Sequence, residues 1–223
     1  MLIIVGSTGG LGSGLLSYFN EHPEAAAAYG SVVGTSRRDF DLKDPGAVGA
    51  YFTELARQLG PEPIHVVNAA GVSLDGYVHK QAFEDWRTTL EVNLGSAFTL
   101  VRALHPLVRE RPSSSILLLS SVVSEIGVAG TAAYAASKAG LRGFVRSAAR
   151  ELARHDVRLN CLELGYFDRG MIKQVTPEFR AQLEREIPLR RLGTIEDLFS
   201  ACDFALRCRY VTGTVIKLNG GLT

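Results

Sequence analysis

The opening stretch constrains the fold more than any other. Leu2–Val5 is a short apolar run that stops at a glycine, as a strand buried in a parallel sheet does. GSTGGLGSGL follows, and then LLSYFNEHPEAAAA, which has helical character. Strand, glycine-rich turn and helix, in that order, give such a turn its meaning. Gly6, Gly10 and Gly12 have the spacing GxxxGxG. Glycines so placed allow a tight turn and let the backbone approach a pyrophosphate at the positive end of the helix. Taken alone, the spacing also suits a flexible loop between strand and helix, so the rest of the chain must decide.

Downstream, short apolar runs alternate with helical segments. Strands are expected at Ser31–Thr35, Ile64–Asn68, Ile116–Ser121, Val157–Leu162 and Val211–Leu218. Helices are expected at Pro45–Leu59, Trp86–Val108 and Ala132–Arg154. Alternation of this kind predicts a parallel sheet with helices on both faces. The 223 residues, 46% hydrophobic and 21% charged, fit one domain, residues 1–223. A net charge of +1 and the lack of a recognition motif leave nucleic-acid binding without support. MLIIV is too short for a signal peptide or a membrane span. The three cysteines form no CxxC pair and the five histidines show no ligand spacing, so a cytoplasmic protein with reduced thiols and no metal is expected.

The tip of the second strand speaks to cofactor choice. It reads Ser36-Arg37-Arg38. In dinucleotide folds an acidic residue there binds the ribose 2′-hydroxyl, whereas arginine accommodates a 2′-phosphate with its planar fork of donors. NADP(H) is therefore expected over NAD(H), although Asp39 and Asp41 stand close by. A solvated basic turn would read the same way.

Ser121–Lys138, SVVSEIGVAGTAAYAASK, carries the chemistry. Tyr134 and Lys138 lie one turn apart on the same face of the expected helix. An ammonium beside a phenol lowers its pKa, which suits the tyrosine to giving a proton to a developing alkoxide. Ser121, brought alongside, would hold the same oxygen. By itself, YxxxK also describes a surface tyrosine beside a solvated lysine.

VGSTGGLG, VVNAAG, EVNLGSAF, LLLSSVV, YAASKAGLRGF, VRLNCLELGYFDRGM, IPLRRLGTIEDL and YVTGTVIKLNGGL occur in this order across nearly the whole chain. Together they resemble the short-chain dehydrogenase/reductase family, and within it the 3-oxoacyl-[acyl-carrier-protein] reductase-like members. The resemblance implies an NAD(P)-dependent oxidoreductase on a single-domain, Rossmann-type, doubly wound parallel sheet. It implies a catalytic tetrad of Asn93, Ser121, Tyr134 and Lys138. Tyr134 would be the general acid and Ser121 would orient the carbonyl. Lys138 would bind the nicotinamide ribose and tune the tyrosine, and Asn93 would help hold a relay water. The cofactor would be met by Gly6, Ser7, Thr8, Gly9, Gly10, Leu11 and Gly12 at the glycine turn and by Arg37 and Arg38 at the 2′-phosphate. Asp41 and Leu42 would flank the adenine. Asn68, Ala69, Ala70 and Gly71 would lie beside the ribose, with Tyr134, Lys138, Gly165 and Phe167 as further cofactor contacts.

The chain also departs from the family pattern. Leu164-Gly165 stands where Pro-Gly is usual, which removes a fixed φ and implies a looser turn. Asp168 and Arg169 stand where a threonine is usual, and a charge there would meet either the cofactor phosphates or the substrate. Gly9 replaces a basic residue common in NADP enzymes, with Arg38 as a substitute. Only about thirty residues separate Ser36 from Asn68. A parallel strand needs a crossover of about a dozen residues, so the usual third strand is expected to be missing or vestigial. Six main strands remain, with the second at or near an edge.

A lid at about residues 166–192 carries Phe167, Met171, Ile172, Val175, Phe179 and Leu183, an apolar set suited to an acyl or ring substrate. Arg190, Arg191, Arg109 and Arg111 are placed to meet an acidic carrier or a phosphopantetheine phosphate, or are ordinary solvated arginines. The leading expectation is an NADPH-dependent ketoreductase acting on a small-molecule or carrier-bound carbonyl such as a β-ketoacyl thioester, with acyl carrier protein as partner. The alternatives are a dehydrogenase of a small or cyclic alcohol and a non-catalytic NADP-binding sensor. Small residues on the Tyr134 helix point to a homodimer or homotetramer, and no membrane or nucleic-acid partner is expected.

Overall fold

Strand residues that are apolar on both faces need a protein layer above and below, and the computed structural model provides both. It describes residues 1–170, 172 and 175–222. Its strands are β1 (Leu2–Val5), β2 (Val32–Thr35), β3 (His65–Asn68), β4 (Ser115–Ser121), β5 (Arg158–Leu164) and β6 (Val215–Leu218). They form one six-stranded sheet in the order β2-β1-β3-β4-β5-β6. Every pairing is parallel. The helices are α1 (Gly10–Glu21), α2 (Pro23–Ala27), α3 (Pro45–Gln58), α4 (Phe83–Leu90), α5 (Ser96–Val108), α6 (Val123–Ile126), α7 (Ala132–Leu152), α8 (Pro177–Glu186) and α9 (Ile195–Arg207).

The two-residue period of β1 divides the core. Ile3 and Val5 face a cluster with Phe52 of α3, Leu100 and Leu104 of α5, and Leu141 and Val145 of α7. Leu2 and Ile4 face Leu15 and Phe19 of α1 and Leu198 and Cys202 of α9. The missing third strand is a finding as well as an expectation. Residues 36–44 run as a short loop from β2 to α3, and β2 is left at the rim of the sheet.

Element boundaries differ from expectation for local reasons. The first long helix breaks at His22 because Pro23 begins α2. The last strand starts four residues late, because Gly213 turns with φ +70°. Tertiary contact interrupts the expected helix Trp86–Val108 with a π-turn at Glu91–Gly95. There the Asn93 side chain donates to the Val72 carbonyl and accepts from the Val72 amide, each at 2.8 Å. It also donates to Ser137 Oγ on α7 at 3.0 Å. Such turns gather where a side chain is drawn out of helical register.

Two arginines close the opposite end of the sheet. Arg111, only 8% exposed, donates to the carbonyls of Leu59, Gly60 and Leu107. Arg158 on β5 donates to the carbonyls of Ala205, Leu206 and Cys208 at the end of α9. Each cation satisfies the last carbonyls of a helix. Arg111 is thus a buried structural residue, neither the solvated arginine nor the carrier contact that was expected.

Candidate active site

Since all strands are parallel, Val5, Thr35, Asn68, Ser121 and Leu164 end along one edge, where open α/β sheets bind ligands. A cavity of about 330 Å³ opens there, lined in part by Gly6, Thr8, Gly9, Thr35, Arg37, Asp41, Leu42, Ala69, Ala70 and Gly71. Phe40, Lys43, Val72 and Val92 complete much of the wall, and sequence reasoning did not single them out. Arg38, Ser7, Leu11, Gly12 and Asn68 do not line it. Ser7 Oγ donates to the Thr35 carbonyl at 3.1 Å. Leu11 packs against the core of the α1 face. Asn68 Oδ1 accepts from the Ala70 amide at 3.2 Å.

The wall fits a dinucleotide. No side chain caps the N-terminus of α1 and its first turn holds no acidic residue, so the positive helix end is presented to an anion. A Cβ on Gly12 would lie 2.3 Å from the Gly6 carbonyl oxygen, and one on Gly6 would lie 2.7 Å from the Ala70 nitrogen. Those two glycines therefore hold the turn closed at separations no side chain would permit. Thr35 lines the cavity, and its buried Oγ1 has no partner among the described residues.

Beside this cavity the predicted tetrad comes together. A Cβ on Gly71 would lie 3.2 Å from Asn93 Oδ1 and 3.3 Å from Lys138 Nζ. Lys138 Nζ donates to the Leu119 carbonyl at 2.9 Å and stands 5.6 Å from the centre of the Tyr134 ring. Ser120 Oγ donates to the Lys138 carbonyl at 3.0 Å and so ties α7 to β4. Ser121 Oγ accepts from the Val123 amide at 3.3 Å and stands close enough to Tyr134 to act on its ionisation.

The electrostatics correct one expectation. Lys138 was expected to lower the Tyr134 pKa, but burial pushes the phenol up to about 12, with Ser121 acting the other way. The lysine is committed to a carbonyl rather than to the phenol oxygen. Burial lowers Lys138 itself to about 8. The charge of Asp75, on the exposed loop after β3, also raises Tyr134, and no motif signalled it.

The turn after β5 is held without a proline. Gly165 donates to the Leu218 carbonyl at 2.9 Å, and a Cβ on it would lie 2.7 Å from Asn219 Cα. Phe167 is buried among the core residues of the α1 face rather than in the cavity, and Gly165 does not line that cavity either. The chain then crosses the start of α1, where a Cβ on Gly10 would lie 2.3 Å from Gly170 Cα. Arg169 runs along Gly14 with its charge toward Glu196. In the lid, Ile172, Leu183, Ile187 and Leu192 pack on one another with Tyr166 and Val175, while Phe179 is exposed. Met171 lies outside the described residues. Arg191 pairs with Asp197 at 2.5 and 3.0 Å. Among the described residues there is no group of three or more metal-ligating side chains, and no helix is long and apolar enough to cross a membrane.

A family model described as Enoyl-(Acyl carrier protein) reductase matches residues 14–223. The chain belongs to the short-chain dehydrogenase/reductase family. Its 3-oxoacyl-[acyl-carrier-protein] reductase relatives include FabG of Chlamydia muridarum, 29% identical, with 99% of this chain and 96% of that one covered. FabG of Salmonella typhimurium is 31% identical over 82% of this chain and 75% of its own length. Nodulation protein G of a Rhizobium species is 38% identical over 70% of this chain, which spans 65% of that protein's length. Among solved structures, ligand-free aldohexose dehydrogenase of Thermoplasma acidophilum matches with a TM-score of 0.88 at 23% identity, covering 99% of this chain and 93% of that one, a likeness of fold. The chain is an oxidoreductase of the class that works at CH–OH and C=O groups with a nicotinamide cofactor.

Proposed function

We propose that this enzyme is an NADPH-dependent ketoreductase whose substrate is a β-ketoacyl thioester, carrier-bound in fatty-acid or polyketide-type synthesis. The observation that carries the reading is the cluster of Ser121, Tyr134 and Lys138 at the sheet edge, one glycine away from a cavity walled by Arg37. The named activity of the FabG relatives supports the substrate class. The arginines add little to the carrier reading, because Arg111 is buried and Arg191 is paired.

A nicotinamide cofactor, when bound, supplies the hydride. Gly6, Thr8 and Gly9 would hold its pyrophosphate, Asp41 and Leu42 its adenine, and Arg37 its 2′-phosphate. Tyr134, protonated at neutral pH and pushed further that way by burial, gives its proton to the carbonyl oxygen. Ser121, close enough to the phenol to act on its ionisation, orients that oxygen. Lys138 carries a charge close to the reacting groups and, with its pKa near 8, can exchange its own proton near neutral pH. Asn93 has both ends of its amide engaged, so its side chain acts by fixing α7 against the loop after β3. The same reading makes the active form a homo-oligomer.

Initial rates with acetoacetyl-CoA, measured with NADPH and with NADH, test the proposal. Turnover with NADPH is expected, falling about 10³-fold in Tyr134→Phe. Turnover with NADH alone would overturn the cofactor reading. A protein that binds NADPH but turns over no thioester would redirect the search to cyclic alcohols or to a sensor.

A further inference from the structure

The cavity wall carries two cations, and they come from one short loop. Residues 36–44 connect β2 directly to α3, and both Arg37 and Lys43 line the cavity, whereas Arg38 does not. Local hydrogen bonds fix each end of the loop at the cavity wall. Ser36 donates to Asp39 Oδ2 from its backbone amide at 2.7 Å and from Oγ at 3.1 Å, closing the turn that bears Arg37. The Lys43 amide donates to Asp41 Oδ1 at 2.9 Å, and the Asp44 side chain caps α3 through the amides of Gly46 and Ala47. Phe40, only 5% exposed, anchors the middle of the loop in the core.

We propose that Lys43 is the second cation of a 2′-phosphate site, taking the part that Gly9 cannot fill and that Arg38, outside the cavity lining, does not take. The inference rests on the NADP(H) reading above. A phosphomonoester gains from a guanidinium fork and an ammonium approaching from two sides. The neighbouring carboxylates are already engaged: Asp39 by Ser36, and Asp41 by the amide of Lys43 itself. Glu84, at the start of α4, is close enough to feel the charge of Lys43, and it is paired with Arg87 at 2.9 Å.

Titration calorimetry with 2′,5′-ADP and with 5′-ADP separates the contributions without needing turnover. The wild-type protein should bind 2′,5′-ADP more tightly. Lys43→Gln should weaken 2′,5′-ADP about tenfold while leaving 5′-ADP within about twofold. Lys43→Arg should keep most of the preference, and Arg38→Gln should change neither affinity. Thermal unfolding of each variant shows that this exposed position leaves the fold intact. A Lys43→Gln protein that keeps the full preference for 2′,5′-ADP would overturn the assignment of Lys43 alone. Equal affinity of the wild type for both nucleotides would overturn the NADP(H) reading and this inference with it.

Discussion

At the scale of single residues, burial governs the proposed chemistry. Tyr134 and Lys138 are both pushed toward their uncharged forms, the phenol to about 12 and the ammonium to about 8. The lysine is therefore a cation below about pH 8 and neutral above it, whereas the tyrosine stays protonated across that range. If the cation assists reduction, kcat/KM for the ketone should fall as pH rises through about 8, since this parameter reports the free enzyme. Lys138→Met should give a lower rate without that limb. A wild-type profile that is flat from about pH 6 to about pH 9 would refute the role. That Tyr134 and Lys138 would share one face of α7 was legible in the sequence, because a helical turn fixes their spacing. Their ionisation was not, because it depends on residues distant in sequence closing over them. Lys43 escaped notice for a similar reason. It reaches the cavity through a loop whose path is set by a missing strand, and no spacing rule describes it.

Among elements, a chain of charges behind the site fastens four of them together. Lys217 of β6 pairs with Glu125 of α6 at 2.8 Å, and Glu125 pairs with Arg142 of α7 at 3.3 Å. Arg142 also donates to Ser124 Oγ at 3.1 Å and pairs with Glu163 of β5, which is wholly buried. Arg142 lies one turn beyond Lys138, so this network fixes the helix that carries the proposed acid. Removing one member of a buried pair leaves the other uncompensated, which costs more than removing both. Arg142→Met should destabilise the protein by about 3 kcal/mol, and adding Glu163→Leu should recover much of that loss. Urea unfolding of the single and double variants measures it, and simple additivity would refute the coupling. The sequence showed the strands and helices being fastened but not this network. Arg142 and Glu163 sit in an ordinary helix and an apolar strand, and only packing brings them together. The π-turn at Asn93 was hidden in the same way, inside a pattern that reads as one long helix.

For the whole molecule, the layered architecture and the six-strand count were legible, because β–α alternation and loop length limit the ways a chain can cross a sheet. The proposed assembly needs a face of α7 that the chain's own core leaves open. On α7, Leu141, Val145 and Ala149 are buried in the chain's own core. The outer face of the helix presents exposed Ala139 and Gly143. On α5, Phe98 is 54% exposed and meets Phe144 edge-on at 6.4 Å. Small residues beside an exposed ring let a second pair of helices approach closely. Light scattering at micromolar concentration should give the mass of a dimer or tetramer, and Gly143→Arg should shift it toward monomer. A monomeric wild-type protein would refute the assembly.

The position of β2 at the sheet rim has a further consequence. This strand has a hydrogen-bonded neighbour on one side only, and it leads into the loop that forms part of the cavity wall. Rim strands with few ladder bonds are the parts of a native protein that open first by local unfolding. A ligand that binds only the closed form shifts that equilibrium toward closure, the more so the tighter it binds. Whatever fills the cavity is therefore also a clamp on the weakest border of the sheet.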